Sequence, residues 1–146
     1  MHTFKSNAGF TLIELMATVS IAGVLSSVAL PSFEGVLHKA RRTDALVAAA
    51  QVQLAQEQFR SAASAYGTLA EIRVGGRSPA GHYTLEVGTV SAMGFELIAT
   101  ATGAQARDAG CRVLKLTSRG LNVAHASGPD VSVANDAAAN RRCWSL

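Results

Sequence analysis

The sequence predicts an α+β fold in which one long amino-terminal α-helix packs on an antiparallel β-sheet of about four strands. The first observation is an apolar run from Phe10 to Leu30, followed by a helical repeat of small and apolar residues that ends near Ala63. The second is a set of short β-rich segments beyond that point, separated by glycine-rich turns. Aromatic residues make up only 5% of the chain, so the core between helix and sheet should consist of aliphatic and small side chains.

A short polar leader precedes the apolar run. The leader, residues 1–9, contains Lys5 and ends at Gly9, whereas the 21 positions of the run carry a single charge, Glu14. A helix of that length spans roughly 30 Å, the thickness of a bilayer core. A secretory signal has its cleavage site after the apolar region, but here the leader comes first, so the apolar segment should survive processing. A carboxylate inside such a segment is costly, which indicates that Glu14 has a function.

The junction between leader and apolar run carries a specific pattern. It reads Gly9-Phe10-Thr11-Leu12-Ile13-Glu14-Leu15. This pattern resembles the class III signal of type IV pilins and their pseudopilin relatives, and the resemblance is strong over about residues 1–60. It implies that a prepilin peptidase cuts after Gly9, that Phe10 becomes the methylated amino terminus, and that Glu14 is needed for assembly. A plain single-span anchor is the alternative, but it explains neither Glu14 nor the Gly9-Phe10 pair.

The resemblance also implies partners and a location. The chain would sit in the bacterial inner membrane as a single-pass protein and then move into an extracellular pilus. Its partners would be the prepilin peptidase, the inner-membrane assembly platform and other pilin subunits in a helical filament. On this basis the chain divides into a leader (1–9), a transmembrane and assembly half of the helix (10–31), an amphipathic half (32–63) and a globular sheet domain (64–146).

Two residues are expected to weaken the long helix. Pro31 lacks a backbone donor, so a kink or local melting is expected near positions 27–31, and Gly23 lowers helix stability locally. Both positions resemble those at which pilins bend or melt in the assembled filament. A simpler interpretation, compatible with the first, is that Pro31 marks the exit from the membrane.

The second half of the helix is amphipathic. Its apolar stripe recurs at spacings of three and four and consists of Ala45, Ala48, Val52, Ala55, Phe59 and Ala62. Lys39, Arg41 and Arg42 are interpreted as a solvated helix face, and contact with anionic lipid is the alternative.

Alternating β-rich segments predict the sheet. Strands are expected at 82–87, 95–101 and 112–117, and residues 121–123 extend the third or add a short fourth. Residues 64–81 are predicted to be a loop that joins helix to sheet. Residues 124–140 are rich in Ala, Ser, Asn, Asp and Gly and are predicted to form an irregular loop.

Two cysteines, Cys111 and Cys143, lie far apart in the sequence. They form no Cys-x-x-Cys motif and have no neighbouring histidine, so a metal site is not expected. In an exported protein a disulfide is the default. In pilins a carboxy-terminal disulfide-bounded region lies at the exposed edge of the sheet, and the resemblance makes residues 111–143 that region.

The last residues offer one candidate binding site. Arg141, Arg142 and Trp144 combine two cations with an aromatic ring, which could hold a phosphate backbone and stack on a base. The alternative, which we favour at this point, is a tryptophan that caps the core beside two solvated arginines. The histidines are scattered and no catalytic motif is present, so no active site, cofactor or metal is predicted.

The predicted function is therefore structural. The chain should be a type IV pilus subunit, assembled through its amino-terminal helix. A minor pilin that supports pilus assembly, adhesion, twitching motility or DNA uptake is favoured. The alternatives are a major pilin, a pseudopilin of type II secretion, which the cysteine pair disfavours, and a DNA-binding module displayed on the pilus.

Overall fold

The computed structural model describes residues 9–134 and 136–144, without the side chains of residues 30–32. These described residues form two α-helices, four strands and two short 3₁₀ turns. In order, these are α1 (Leu12–Ala63), β1 (Tyr83–Val90), β2 (Gly94–Ala101), the 3₁₀ turns Gly103–Arg107 and Ala109–Cys111, β3 (Val113–Arg119), β4 (Asn122–Gly128) and α2 (Ala137–Trp144). The predicted α+β fold, with a long helix and a four-stranded antiparallel sheet, is confirmed.

The chain consists of two structural units, residues 1–36 and residues 37–146. In the first unit, the described residues form the start of α1, and the apolar side chains with described positions are exposed, for example Phe10 (85%). Within the described chain, α1 alone is long and apolar enough to cross a membrane. The helix continues through Gly23 and Pro31 without interruption, so the melting expected near 27–31 is absent from this structure. Opening of the helix at these positions in a filament stays a prediction.

Alanines on α1 allow the helix to lie close to the sheet. Ala45, Ala48 and Val52 are almost fully buried, as the predicted stripe requires. Small side chains at these positions let backbone and sheet approach while still excluding water. The stripe is shorter than predicted, because Ala62 is exposed. The helix ends one residue later, and the chain turns away at Ser64, where φ is 59°.

The sheet is a meander in the order β1-β2-β3-β4, and all neighbours are antiparallel. Residues of β2 alternate, so that Leu97 and Ala99 face the core, and their cross-strand partners Leu116 and Leu114 lie on the same face. Gly94 starts β2 where the strands come very close, because a Cβ there would stand 2.1 Å from the Ser118 carbonyl oxygen.

Polar side chains of α1 fix the connection between helix and sheet. Gln56 is fully buried and donates to the Gly67 carbonyl (2.6 Å) while accepting from the Gly67 N–H (2.9 Å). Asp44 accepts hydrogen bonds from the Ser78 hydroxyl and from the backbone N–H groups of Ala80 and His82. Partial burial opposes ionisation of Asp44, but these three donors outweigh it and lower the pKa of the carboxyl.

Only the middle of the irregular loop predicted for residues 124–140 is irregular, at the described residues 129–134 and 136, and the prediction is wrong at both ends. Its first part completes β4, which pairs with β3 along its whole length, for example Leu114 with Ser127. Its last part begins α2, whose first turn is capped by Asp136 through the N–H groups of Ala138 and Ala139. Ala, Ser and His carry little strand signal, so pairing with β3 and cover by α2 decide the structure here.

Candidate functional site

A disulfide joins the second 3₁₀ turn to α2. The sulfur atoms of Cys111 and Cys143 are bonded and their Cα atoms lie 5.5 Å apart, so the predicted pairing is present. Both cysteines are fully buried. Closing a loop with a separation of 32 residues stabilises the fold by roughly 3–4 kcal/mol on a chain-entropy argument. The bond therefore makes a rigid platform of two otherwise separate segments.

The helix α2 is held on β4 by side chains of both elements. The Trp144 indole N–H donates to the Ala126 carbonyl (3.0 Å), and its ring centroid lies 4.5 Å from that of His125. Asn140 donates to the His125 carbonyl (2.6 Å) and accepts from the Ser127 hydroxyl (3.0 Å). Burial between the two elements lowers the pKa of His125 and thus favours the neutral imidazole.

The position of Trp144 corrects one hypothesis. Its side chain is only 7% exposed and belongs to the core cluster between helix and sheet. An indole in that position cannot offer a face to a nucleotide base. The simpler interpretation, a tryptophan that caps the core, is the one that fits.

Four exposed arginines lie in the segments on either side of the disulfide. We call them the disulfide arginines: Arg107, Arg112, Arg141 and Arg142. Arg112 follows Cys111 directly and Arg142 precedes Cys143, so the bond itself brings these two close. The Arg142 guanidinium lies over Gly110, where a Cβ would stand 2.6 Å from Nη2. The Arg112 Nε donates to the Ala106 carbonyl (2.9 Å), which directs this side chain towards the turn that carries Arg107.

Three carboxylates lie near this cluster, those of Asp108, Asp130 and Asp136, and each has partners; that of Asp136 caps α2. Asp130 accepts from the side chain and the N–H of Ser132, which lower its pKa, and the charge of Arg112 lowers it further. Asp108 is neutralised from inside the protein by Arg42. The carboxylate of Asp130 thus offsets part of the charge of Arg112, while the other disulfide arginines have no ion pair with any described residue.

The contact between Arg42 and Asp108 is a buried two-pronged ion pair. Arg42 donates from Nε to one carboxylate oxygen (2.6 Å) and from Nη2 to the other (2.9 Å), and the two side chains are 12% and 10% exposed. The third nitrogen, Nη1, donates to the Arg142 carbonyl (2.9 Å). The solvated face predicted for Arg42 is therefore wrong. No sequence pattern shows a partner 66 residues away.

A buried amide extends this network. Gln105 is 1% exposed, and its Nε2 lies within 3.2 Å of the His38 carbonyl, the Tyr83 hydroxyl and an Asp108 carboxylate oxygen. Its Oε1 can only accept, so His38 donates to it from Nδ1 (3.1 Å). Burial raises the pKa of Tyr83 to about 12, so its hydroxyl stays neutral. The first 3₁₀ turn is thus fixed to α1 and β1.

The predicted amino-terminal site lies in the other unit. Gly9 and Phe10 are exposed and precede the helix, whereas the rest of the leader lies outside the described residues. The Glu14 carboxylate accepts from the N–H and the hydroxyl of Thr11, both at 2.8 Å, which closes the first helical turn. The roles of Gly9, Phe10 and Glu14 in processing and assembly stay predictions.

Sequence reasoning found half of the disulfide arginines. Arg141 and Arg142 were recognisable as a basic pair beside a cysteine. Arg112 stands beside the other cysteine, so the predicted disulfide could have added it. Nothing in the sequence indicates that Arg107 joins them, because the fold of the 3₁₀ turns brings it there.

Comparison with known proteins identifies the family. Residues 31–115, more than half of the chain, match the family model described as type IV minor pilin ComP, DNA uptake sequence receptor. The chain belongs to this family. Residues 4–30 match the prokaryotic N-terminal methylation motif, which covers the junction at Gly9. The ComP-family chain is accordingly a structural pilin subunit of the minor class, with the long helix and antiparallel sheet of a pilin.

Curated relatives match part of the chain. A probable minor fimbrial protein of Dichelobacter nodosus is 44% identical over 54 residues, 37% of this chain and 34% of that protein. The type IV major pilin protein PilA of Myxococcus xanthus is 36% identical over 64 residues, 44% of this chain and 29% of that protein. The match thus spans about a third of the length of these relatives.

Proposed function

We propose that this minor pilin binds double-stranded DNA on the surface of a type IV pilus and thereby takes part in DNA uptake. The observation that carries the proposal is the group of four exposed disulfide arginines on a disulfide-linked platform. The description of the matched family, a receptor for the DNA uptake sequence, supports the same ligand. This reverses the preference that the sequence alone suggested for Arg141 and Arg142.

The chemistry of these side chains fits a phosphate backbone. A guanidinium is always charged and presents parallel donors that match phosphate oxygens. Binding to duplex DNA releases counterions, which makes affinity fall steeply with salt. Because Trp144 is buried, stacking on unpaired bases is not part of the proposal, and the binding mode that remains is contact with a duplex backbone.

Assembly places this surface outside the cell. We propose that the prepilin peptidase cuts after Gly9, that Phe10 is methylated and that the apolar half of α1 holds the subunit in the inner membrane. Glu14 then guides its entry into the filament. The N-terminal methylation motif and the exposed apolar helix support this order of events.

Duplex binding by the full-length processed protein in detergent micelles tests the proposal. Affinity is measured by fluorescence anisotropy over a range of salt concentrations. Replacing Arg141 and Arg142 together by serine should weaken binding and reduce the slope of log K against log salt by about 2, because two phosphate contacts are lost.

A matched control comes from the far end of β3. Arg119 is also exposed, but about seven strand positions, roughly 20 Å, separate it from Arg112. Arg119→Ser should therefore leave both affinity and slope nearly unchanged. Equal effects of the two replacements would indicate diffuse attraction without a site, and no duplex binding at low salt would leave a purely structural pilin.

A further inference from the structure

Arg42 connects the segments that carry the disulfide arginines, but its own side chain is largely buried. Arg42 lies on α1, yet its hydrogen bonds are to the segments that carry the disulfide arginines. Nε and Nη2 donate to the carboxylate of Asp108, which follows Arg107 at the end of the first 3₁₀ turn. The third donates to the carbonyl of Arg142, near the end of α2.

The positive charge of Arg42 also stabilises the carboxyl-terminal end of α2, in addition to its hydrogen bond there. The last four carbonyls of a helix have no partner within the helix, and the dipole places partial negative charge there. α2 has only eight residues, so a cation at this end influences much of it. Arg42 therefore stabilises the helix that carries Arg141 and Arg142, while its fork to Asp108 fixes the segment that carries Arg107.

We infer that Arg42 is a positioning residue of the DNA interface, which holds the disulfide arginines in one arrangement without touching DNA. The inference rests on the proposed function and deepens it. Each of the three guanidinium nitrogens of Arg42 already donates to an acceptor in the protein, and its side chain is only 12% exposed, so little of the group is accessible to a phosphate. The disulfide ties the two segments at one point, and Arg42 provides the second point that fixes their orientation.

Arg42→Lys tests the inference because it keeps the charge. A lysine ammonium cannot make a two-pronged contact with Asp108 and reach the Arg142 carbonyl at the same time. If Arg42 acts by position, the replacement weakens duplex binding although net charge is unchanged. If Arg42 only adds to the positive field, binding stays as in the wild type, which would overturn the inference. Arg41→Lys is the matched control, since Arg41 has no ion pair with any described residue.

A double-mutant cycle shows through which groups Arg42 acts. In the background that lacks Arg141 and Arg142, Arg42→Lys should change affinity by less than its effect in the wild-type background. Independent sites would instead add, within about twofold. Additive losses in both backgrounds would contradict a positioning role. Arg42→Met, which removes the charge but keeps the stem, should behave in the same way.

Hydrogen exchange of the free protein separates this inference from the proposed function. Arg42→Lys should raise amide exchange across α2, and Arg41→Lys should not. Unchanged exchange across α2 would overturn the inference whatever the DNA result. A wild type that binds no duplex would remove the proposed function and, with it, a role for Arg42 at a DNA interface. Duplex binding that Arg42→Lys leaves intact would overturn the inference alone.

Discussion

The side chain of Gln56 shows how much one buried amide contributes. It satisfies both backbone groups of Gly67, and no water can reach it. Replacement by alanine leaves a buried N–H and a buried carbonyl without partners, so Gln56→Ala should lower the free energy of unfolding by about 2–3 kcal/mol. Chemical denaturation followed by the fluorescence of the single tryptophan, Trp144, measures this.

The control for this prediction lies on the same helix. Gln51 is exposed, so Gln51→Ala should change the free energy of unfolding by no more than about 0.5 kcal/mol. If both replacements lower the free energy of unfolding equally, the hydrogen bonds to Gly67 do not account for the loss and helix propensity does.

Single residues also show where sequence reasoning ends. The burial of Ala45, Ala48 and Val52 follows from helical spacing, because periodicity reports a face. The burial of Arg42 does not, because its partner Asp108 comes from a distant segment and only the tertiary fold brings the charges together. The same applies to Trp144, whose sequence context was compatible with both exposure and burial.

At the scale of elements, the packing of α2 on β4 should depend on pH. Burial lowers the pKa of His125 in the folded state below its ordinary value, so folding favours the neutral imidazole. The stability is complete above about pH 6.5 and falls as pH drops towards the lowered folded pKa, since the unfolded chain then binds the proton more readily. The effect should be under about 1 kcal/mol, because solvent screens the half-buried ring.

His125→Phe keeps an aromatic ring against Trp144 and removes the titration. The free energy of unfolding is measured for both proteins at about pH 7.5 and about pH 5.5. Between these values the wild type should lose more stability than the variant. A constant difference at both values would show that His125 does not titrate in this range. Fluorescence of Trp144, which contacts the ring, reports the transition.

Some elements were predictable from sequence and others were not. The helix α1 and the strands β1 to β3 follow from strong periodicity and β-rich composition, and their bounds shift by a few residues at most strand ends. β4 was predicted only as a possible short strand at 121–123 and α2 was not predicted, because Ala, Ser, Asn and Asp favour several conformations. Asp136 before three alanines is a usable capping signal for α2.

At the scale of the whole molecule, Glu14 is expected to act in assembly. Within one chain its carboxylate accepts hydrogen bonds from the N–H and the hydroxyl of Thr11, but no positive charge pairs with it among the described residues. In a filament, an apolar setting would favour pairing of this carboxylate with the amino group of a processed Phe10. Glu14→Ala should leave membrane insertion intact and strongly reduce the amount of this chain in sheared pili.

Glu34 provides the control for Glu14. It is an exposed carboxylate further along the same helix, so Glu34→Ala should leave the incorporation of the chain near the wild-type level. Mass spectrometry of envelope and pilus fractions measures both variants. Normal incorporation of the Glu14→Ala protein would contradict the assembly role.

Capture of labelled duplex DNA by sheared pili tests whether the disulfide arginines bind DNA on the filament. Pili are prepared from wild-type cells and from cells whose chain carries Arg141→Ser and Arg142→Ser, and mass spectrometry counts the chain in each preparation. We expect a trace subunit that begins at methylated Phe10 and is present in equal amounts in both preparations, with DNA capture strongly reduced only in the variant. Equal capture by both preparations would contradict DNA binding through Arg141 and Arg142.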